Sequence, residues 1–276
     1  MSQLTHVKNF IYQQPWLLPE EYLNAYVEIL ENHFAGLPNA KAAAMDYTPP
    51  AVETVNGVDV IRVMGPIIPR ANLFSQISGA TSIDVLSKQF AESIANPNSV
   101  CTMLYFDSPG GSVQGIFEFS DQVRQAATDP KVKKVEAFIE GQCCSAAYCI
   151  ASQCEGIHAT RGSMLGSIGV VAKLSSTDRM ERNAGVDSTV IASHELKAAG
   201  SSTLTPNQES MIRRKVMQCF EMFKDCVIRA RADSIGDINP LATGEVFMAD
   251  ECLKNGLCDS ITTFDSIIKE KGFRQF

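Results

Sequence analysis

The 276-residue sequence lacks several features that would decide its class at once. No apolar run approaches the roughly 18 to 20 residues that cross a bilayer, and the longest candidate, Val100–Phe106, has the length of a strand. There is no basic excess: 24 Lys and Arg stand against 31 Asp and Glu, giving a net charge of −7 and a pI near 5.2. That balance argues against nucleic acid and against anionic membrane as partners. No C-x-x-C pair occurs and the nine cysteines are an odd number, so neither structural zinc nor a disulfide framework is expected. Met1–His6 lacks the basic-then-apolar layout of a secretory signal, which leads to the expectation of a cytoplasmic chain. What is present is ordinary for a globular protein: hydrophobic residues make up 45% and charged residues 20%, which excludes wholesale disorder.

The chain divides into three unequal parts. Residues 1–36 read as an N-terminal helical extension, in which Leu23, Tyr26, Val27 and Leu30 fall at helical spacing behind the acids Glu20 and Glu21. Residues 37–52 are an Ala/Pro linker that ends near Pro49–Pro50. The main domain spans 53–276. In it Asn56–Gly57 predicts a hairpin turn leading into a strand over Val58–Met64. Strands are predicted at Val100–Phe106, Val135–Ile139, Gly156–Ala159, Ile168–Ala172 and Val186–Ala192, with helices over Gly111–Ala127 and Ala146–Ser152 between them. This alternation implies an α/β fold around a largely parallel sheet. A long helix opens at Thr205–Gln208, a capping box with proline in its first turn, and its apolar stripe calls for a partner surface. Cys219 and Cys226, seven residues apart, share one face of it as small apolar groups.

Two short segments carry chemistry. Asp107-Ser108-Pro109-Gly110-Gly111-Ser112 follows a buried strand and precedes a helix. Paired glycines permit positive φ and close backbone approach, and the N–H groups of such a turn are placed to hold a developing negative charge. A plain strand-to-helix turn is the competing reading. Glu140-Gly141-Gln142-Cys143-Cys144-Ser145-Ala146-Ala147 also follows a strand and opens a helix. Ser145, flanked by small side chains, is either a reachable nucleophile or simply a helix N-cap.

A serine nucleophile needs a base, and only four histidines are present. His6 and His33 lie in the N-terminal region. His158 or His194 would suit a Ser-His-Asp triad, though both also read as surface or packed histidines. Lys197 offers a second route, provided burial and neighbouring donors keep its amine neutral. Composition does not choose among these.

Three segments in order resemble successive motifs of the signal peptide peptidase A (SppA) family of serine peptidases: Phe106-Asp107-Ser108-Pro109-Gly110-Gly111, Cys144-Ser145-Ala146-Ala147 and Gly166-Ser167-Ile168-Gly169-Val170. Near the C-terminus, Ala249–Asp259 is similar to the family's closing helix-strand element with its G-L-x-D. The resemblance covers roughly residues 55 to 262 and is nearest to the prohead (head maturation) proteases of tailed phages, given the lack of a membrane anchor, the single short peptidase domain and the leader Gln14–Pro19. It implies a ClpP/crotonase-like superhelix of ββα units.

By position, the resemblance gives the nucleophile to Ser145 and the general base to Lys197, 52 residues on. It gives Ser167, 22 residues on, the role of hydrogen-bonding the lysine, and the oxyanion hole to Gly110, Gly111 and Ala146. A ClpP-type histidine is disfavoured, because the matching position holds Val170. Two departures stand out: Ala147 replaces a usual glycine, which could narrow substrate approach, and Cys144 adjoins the nucleophile. The resemblance further implies no cofactor, protein or peptide substrates such as capsid scaffold and assembly proteins, self-processing in the 36–50 region, a homo-oligomer, no membrane, and action inside the procapsid in the bacterial host cytoplasm. The rival expectations are an acyl-CoA enzyme of the crotonase type and a non-catalytic assembly protein of the same fold.

Overall fold

Strands form where β-branched and apolar residues run together, and the first hairpin closes at Asn56–Gly57, both residues with positive φ. The computed structural model describes residues 16–17, 51–70, 79–174, 182–183, 185–187, 189–199 and 203–273. In chain order the strands are β1 (Trp16–Leu17), β2 (Glu53–Val55), β3 (Val58–Met64), β4 (Ile67–Ile68), β5 (Thr81–Ser82), β6 (Cys101–Ser108), β7 (Gly111–Ser112), β8 (Lys134–Cys144), β9 (Gly156–Ala159), β10 (Met164–Gly166), β11 (Val246–Met248) and β12 (Ser260–Ile261). The helices are α1 (Ile83–Ala95), α2 (Ile116–Thr128), α3 (Ala146–Ala151), α4 (Pro206–Ile235), α5 (Ala249–Lys254) and α6 (Phe264–Lys271), with a 3-10 turn at Glu195–Ala198.

The main sheet has the order β11-β10-β8-β6-β3-β2, in which β10, β8, β6 and β3 are parallel while β11 and β2 run antiparallel at the edges. β9 also pairs with β8, and β12 with β9. A second small sheet, β1-β7-β4-β5, stands at the C-terminal ends of the parallel strands. The α/β layering expected from the alternation is present. The core joins Ile61, Val63, Leu104, Phe106, Ala137 and Ile139 of the sheet to Leu86 and Phe90 of α1, Phe119 and Val123 of α2, and nearly all of α3.

Several expectations shift. The helix predicted from Gly111 begins at Ile116, because Gly111–Ser112 is taken up by β7. The strand predicted at Ile168–Ala172 lies earlier, at Met164–Gly166, and the described residues of Val186–Ala192 form no strand. The predicted N-terminal helix and the linker fall outside the described residues. Trp16 and Leu17, placed in the extension by sequence, form a buried strand within the main domain.

The closing G-L-x-D element has a structural cause. Gly256 has φ +75°, and a Cβ there would lie 2.1 Å from the Ser234 carbonyl oxygen of α4. Asp259 takes both terminal nitrogens of the buried Arg231 guanidinium, at 2.7 and 3.0 Å, and also accepts from the Ile157 N–H at 2.8 Å. Replacing Asp259 by alanine leaves a buried guanidinium without its carboxylate. It should destabilise the fold by about 3 to 5 kcal/mol in urea titration, and a loss below about 1 kcal/mol would show that the pair does not tie α4 to β9.

At the opposite end of the sheet, buried Asp59 accepts hydrogen bonds from Thr54 (2.6 Å), Ser99 (2.7 Å), Ser93 (3.0 Å) and Asn96 (3.0 Å), and pairs with Lys133 (3.2 Å). Burial alone would raise its pKa, but the donors outweigh burial and hold it at about 2 against an ordinary 3.8. A depressed carboxyl contributes stability that is complete above the unfolded pKa and lost as pH falls towards the folded one. Wild type should therefore lose about 2 kcal/mol more than Asp59→Asn between pH 5 and pH 2, measured by urea midpoints. Equal losses would rule this network out as the acid-labile element.

Candidate active site

The elbow that carries Ser145 is built by a defect in β8. Phe106 pairs with Ile139 and Ser108 with Cys143, so four residues of β8 span what two residues of β6 span. The excess is absorbed at Gly141, whose φ of +107° suits glycine and whose Cα faces Asp107; a Cβ there would lie 2.4 Å from Asp107 Oδ1. Asp107 Oδ1 accepts from the Gln142 N–H at 3.1 Å and holds the bend. Beyond it β8 still pairs with β6 at Cys143, while its other edge passes from β9 to β10 over Gln142–Cys144.

Ser145 ends that strand with φ +54° and ψ −116°, strained for a residue with a Cβ. Its N–H donates to the Gly166 carbonyl at 2.7 Å, and its side chain is 1% exposed. Although Ser145 occupies the N-cap position of α3, its hydroxyl makes no capping bond; Oγ lies 3.5 Å from the Gly169 carbonyl instead. The capping role therefore does not explain this serine. Ser167 follows Gly166 on the neighbouring strand, with φ +50° and its N–H held by the Glu245 carbonyl at 2.6 Å. The two serines thus leave adjacent parallel strands side by side.

The glycine turn approaches from the other side. Gly110 has φ +110°, and a Cβ there would lie 3.0 Å from Ser145 Cβ. Its N–H donates to Ser108 Oγ at 3.2 Å, while its carbonyl accepts from the Ile67 N–H at 2.8 Å. Across a trans peptide the C=O and the next N–H point opposite ways, so the Gly111 N–H faces away from β4, towards β1 and the serine. The Ala146 N–H, in the first turn of α3, has no acceptor within its own helix. Of the three residues expected at an oxyanion, Gly111 turns its N–H towards β1, Ala146 lies in the first turn of α3, and the Gly110 N–H is taken by Ser108 Oγ. Ala147 is fully buried in the core cluster, so its methyl fills packing space.

Lys197 is not hydrogen-bonded to Ser145. It lies in the 3-10 turn Glu195–Ala198, exposed, and among the described residues its amine has no hydrogen bond or ion pair. The turn is pinned to the start of α4: Glu195 accepts from the side chains of Thr205 and Asn207, and Gln208 Nε2 donates to the Glu195 carbonyl at 2.8 Å. The same helix meets α3 at Cys226, whose sulfur lies 3.1 Å from that of Cys149. Eighteen residues of helix separate Gln208 from Cys226, about 27 Å at 1.5 Å per residue. Lys197 thus sits with the end of α4 remote from Cys226, and its amine is hydrogen-bonded to neither Ser145 nor Ser167 within the chain.

The two described histidines, His158 and His194, offer no substitute within the chain. His158 has both ring nitrogens engaged, with Ser260 Oγ at 2.7 Å and Glu136 Oε2 at 2.9 Å, and is buried in β9. Burial pushes Glu136 up, but hydrogen bonds from His158 and Lys271 prevail and hold its carboxyl below the ordinary range. His194, also exposed, adjoins the 3-10 turn beside Lys197.

With this geometry in place, comparisons with known proteins become informative. The profile of peptidase family S49 matches residues 127–272, more than half of the chain. Head-tail preconnector protein GP5 of Enterobacteria phage P21 is 29% identical over 214 residues, 75% of this chain and 41% of that protein. Capsid assembly protease C of Escherichia phage lambda is 25% identical over 211 residues, 76% of this chain and 47% of the relative. A putative signal peptide peptidase SppA of Enterococcus faecium is 28% identical over 179 residues, 61% of this chain and 50% of the relative. The chain therefore spans half or less of the length of these relatives.

Burial pushes the Cys144 thiol up to about 12. At pH 8 roughly one thiol in ten thousand would be ionised. Cys144 should stay unmodified by iodoacetamide in the folded protein, as read by peptide mass mapping. Its carboxymethylation at a rate near that of a free thiol would return it to contention as a nucleophile.

Proposed function

Because the chain belongs to peptidase family S49, we propose that it is a serine endopeptidase in which Ser145 attacks the scissile carbonyl and Lys197 acts as general base. Ser145 Oγ bonds to the carbonyl carbon as its proton passes to the neutral amine, which then delivers that proton to the leaving nitrogen. Ser167, beside the nucleophile, orients the amine by hydrogen bonding. The Gly111 and Ala146 N–H groups receive the oxyanion, and losing one such donor raises the barrier by about 3 to 4 kcal/mol. The observation that carries this reading is the strained, non-capping Ser145 closely approached by the glycine turn at Gly110.

The base arrives by assembly. Along Met211–Met222 of α4, Met217 and Met222 are exposed and Met211, Ile212, Val216 and Phe220 only partly covered, a long apolar surface left open among the described residues. This projecting arm carries Lys197 at its tip. In a homo-oligomer it docks on a second copy and delivers the lysine to that copy's Ser145. A ClpP/crotonase-like superhelix accommodates such an outlying arm. The name of the lambda relative, a capsid assembly protease, supports capsid-assembly proteins as substrates, and the proposed reading extends this to scaffold proteins met inside an immature head in the host cytoplasm. Self-processing in the 36–50 region belongs to the same reading, and that segment lies outside the described residues.

Ser145→Ala and Lys197→Ala should each abolish proteolysis of the co-encoded scaffold protein. Mixing the two inactive variants, with dissociation and reassembly, should restore about a quarter of wild-type activity, since random pairing unites an intact serine and an intact lysine in one site of four. Mixed oligomers that remain inactive would show that the dyad does not form between copies. An active Lys197→Ala protein would remove the lysine from the mechanism.

A further inference from the structure

The slot beside the reactive serine is occupied by the chain itself. β1, only Trp16–Leu17, lies antiparallel to β7, with Trp16 opposite Ser112 and Leu17 opposite Gly111. Its other edge pairs with Val171, in the stretch that follows Ser167. Trp16 N–H donates to the Val171 carbonyl at 2.7 Å, and Val171 N–H donates to the Trp16 carbonyl at 2.9 Å. A two-residue segment is therefore clamped between strands contributed by the glycine turn on one side and by the Ser167 loop on the other. The carbonyl oxygen of Leu17 and Cβ of Ser145 both flank Gly110: a Cβ there would lie 2.2 Å from the first and 3.0 Å from the second. The Gly111 N–H is directed to that side. The Leu17 carbonyl thus stands where an electrophilic carbonyl would stand, and Trp16 and Leu17 are 1% and 0% exposed.

Nothing in the ladder requires that this strand belong to the chain. The bonds on both edges are main-chain bonds, which any extended peptide makes, and the side chains supply the selectivity. Proline at positions 15 and 19 brackets the segment and limits how far a ladder extends along it. We infer that Trp16–Leu17 is a resident occupant of the peptide-binding slot, that peptides entering in trans must displace it, and that the slot takes extended segments with large apolar side chains at two successive positions ending at the reacting carbonyl. The last clause rests on the peptidase reading of Ser145; the occupancy does not.

The test is a binding measurement on the full chain carrying Ser145→Ala, so that no turnover is needed. A fluorescein-labelled peptide of residues 13–20 should bind at least about tenfold more tightly when Trp16→Gly and Leu17→Gly are added, because the competitor is gone. The same peptide with serine at both apolar positions should bind at least about tenfold more weakly to that vacated slot. Equal or weaker binding after the glycine substitutions overturns the occupancy, and so does binding to neither protein. Indifference to the serine exchange overturns the stated peptide class. A second readout needs no change to the segment, since Trp16 is the sole tryptophan. Saturating Ser145→Ala protein with the peptide carrying phenylalanine in place of tryptophan should shift Trp16 emission to the red and raise its quenching by acrylamide. Emission that stays fixed while the peptide binds places the peptide elsewhere and refutes displacement. A protein that passes these tests but cleaves nothing would sink the proposed peptidase function and leave the occupancy standing.

Discussion

The contact between Asp107 and the backbone at Gly141 is the constraint on which the rest of the site depends. Without a bend, β8 would keep its register with β6 and continue alongside β9, and Ser145 would finish an ordinary parallel strand. Two additional residues on β8, a glycine able to take φ +107° and a carboxylate accepting from the Gln142 N–H redirect the strand onto β10. That change of partner sets Ser145 beside the Gly166–Ser167 turn. Asp107, which the motif comparison records only as a flanking letter, is thus a main-chain anchor. Its removal would act on the nucleophile through the geometry of the bend.

Left-handed backbone gathers at this end of the molecule. Gly110 and Gly166 are at φ +110°, and Ser145 and Ser167 are at +54° and +50°. The glycines adopt such angles at little cost, whereas each serine stores strain of order 1 kcal/mol or more. Ordered neighbours maintain that strain: the Gly166 carbonyl holds the Ser145 N–H and the Glu245 carbonyl holds the Ser167 N–H. Strain retained at two adjacent hydroxyls, neither serving as a helix cap, separates this arrangement from the strand-to-helix turns that motif length alone could not exclude.

Much of the sheet was legible because its strands announce themselves: Val58–Met64 and Gly156–Ala159 match their predicted bounds, and the capping box at Thr205 opens α4 as expected. The turns at Gly110–Gly111 and Ser145 were also legible, since each follows a strand visible in the sequence, whereas Ser167 was singled out only by the family resemblance. Three things were not. The bend at Gly141 needs a partner 34 residues away, which no local pattern reveals. Trp16–Leu17 is too short for periodicity to register as a strand, and its pairing partners lie about a hundred residues or more along the chain. The separation between Ser145 and Lys197 counts residues but not direction, and α4 carries the lysine outward. Both failures of the last kind arise where contacts join distant parts of the chain or copies of it.

On the proposed reading, these two unforeseen features bear on the same chemistry from opposite sides. Folding of one chain completes the nucleophile and its oxyanion donors, because these depend only on β8, β10, α3 and the glycine turn. It does not supply the proton acceptor, which rides at the end of a helix whose apolar flank is uncovered. Nor does it leave the strand slot empty, because Trp16–Leu17 fills it with side chains buried as deeply as the core. A chain in this state is held from peptide bonds by two independent barriers, an absent base and a resident strand. Association removes the first by docking the α4 arm, while a better-fitting extended segment removes the second by exchange along a ladder of main-chain bonds. A peptidase whose substrates are the proteins it assembles among gains from that order, since hydrolysis then awaits both a neighbour and a segment able to compete for the slot.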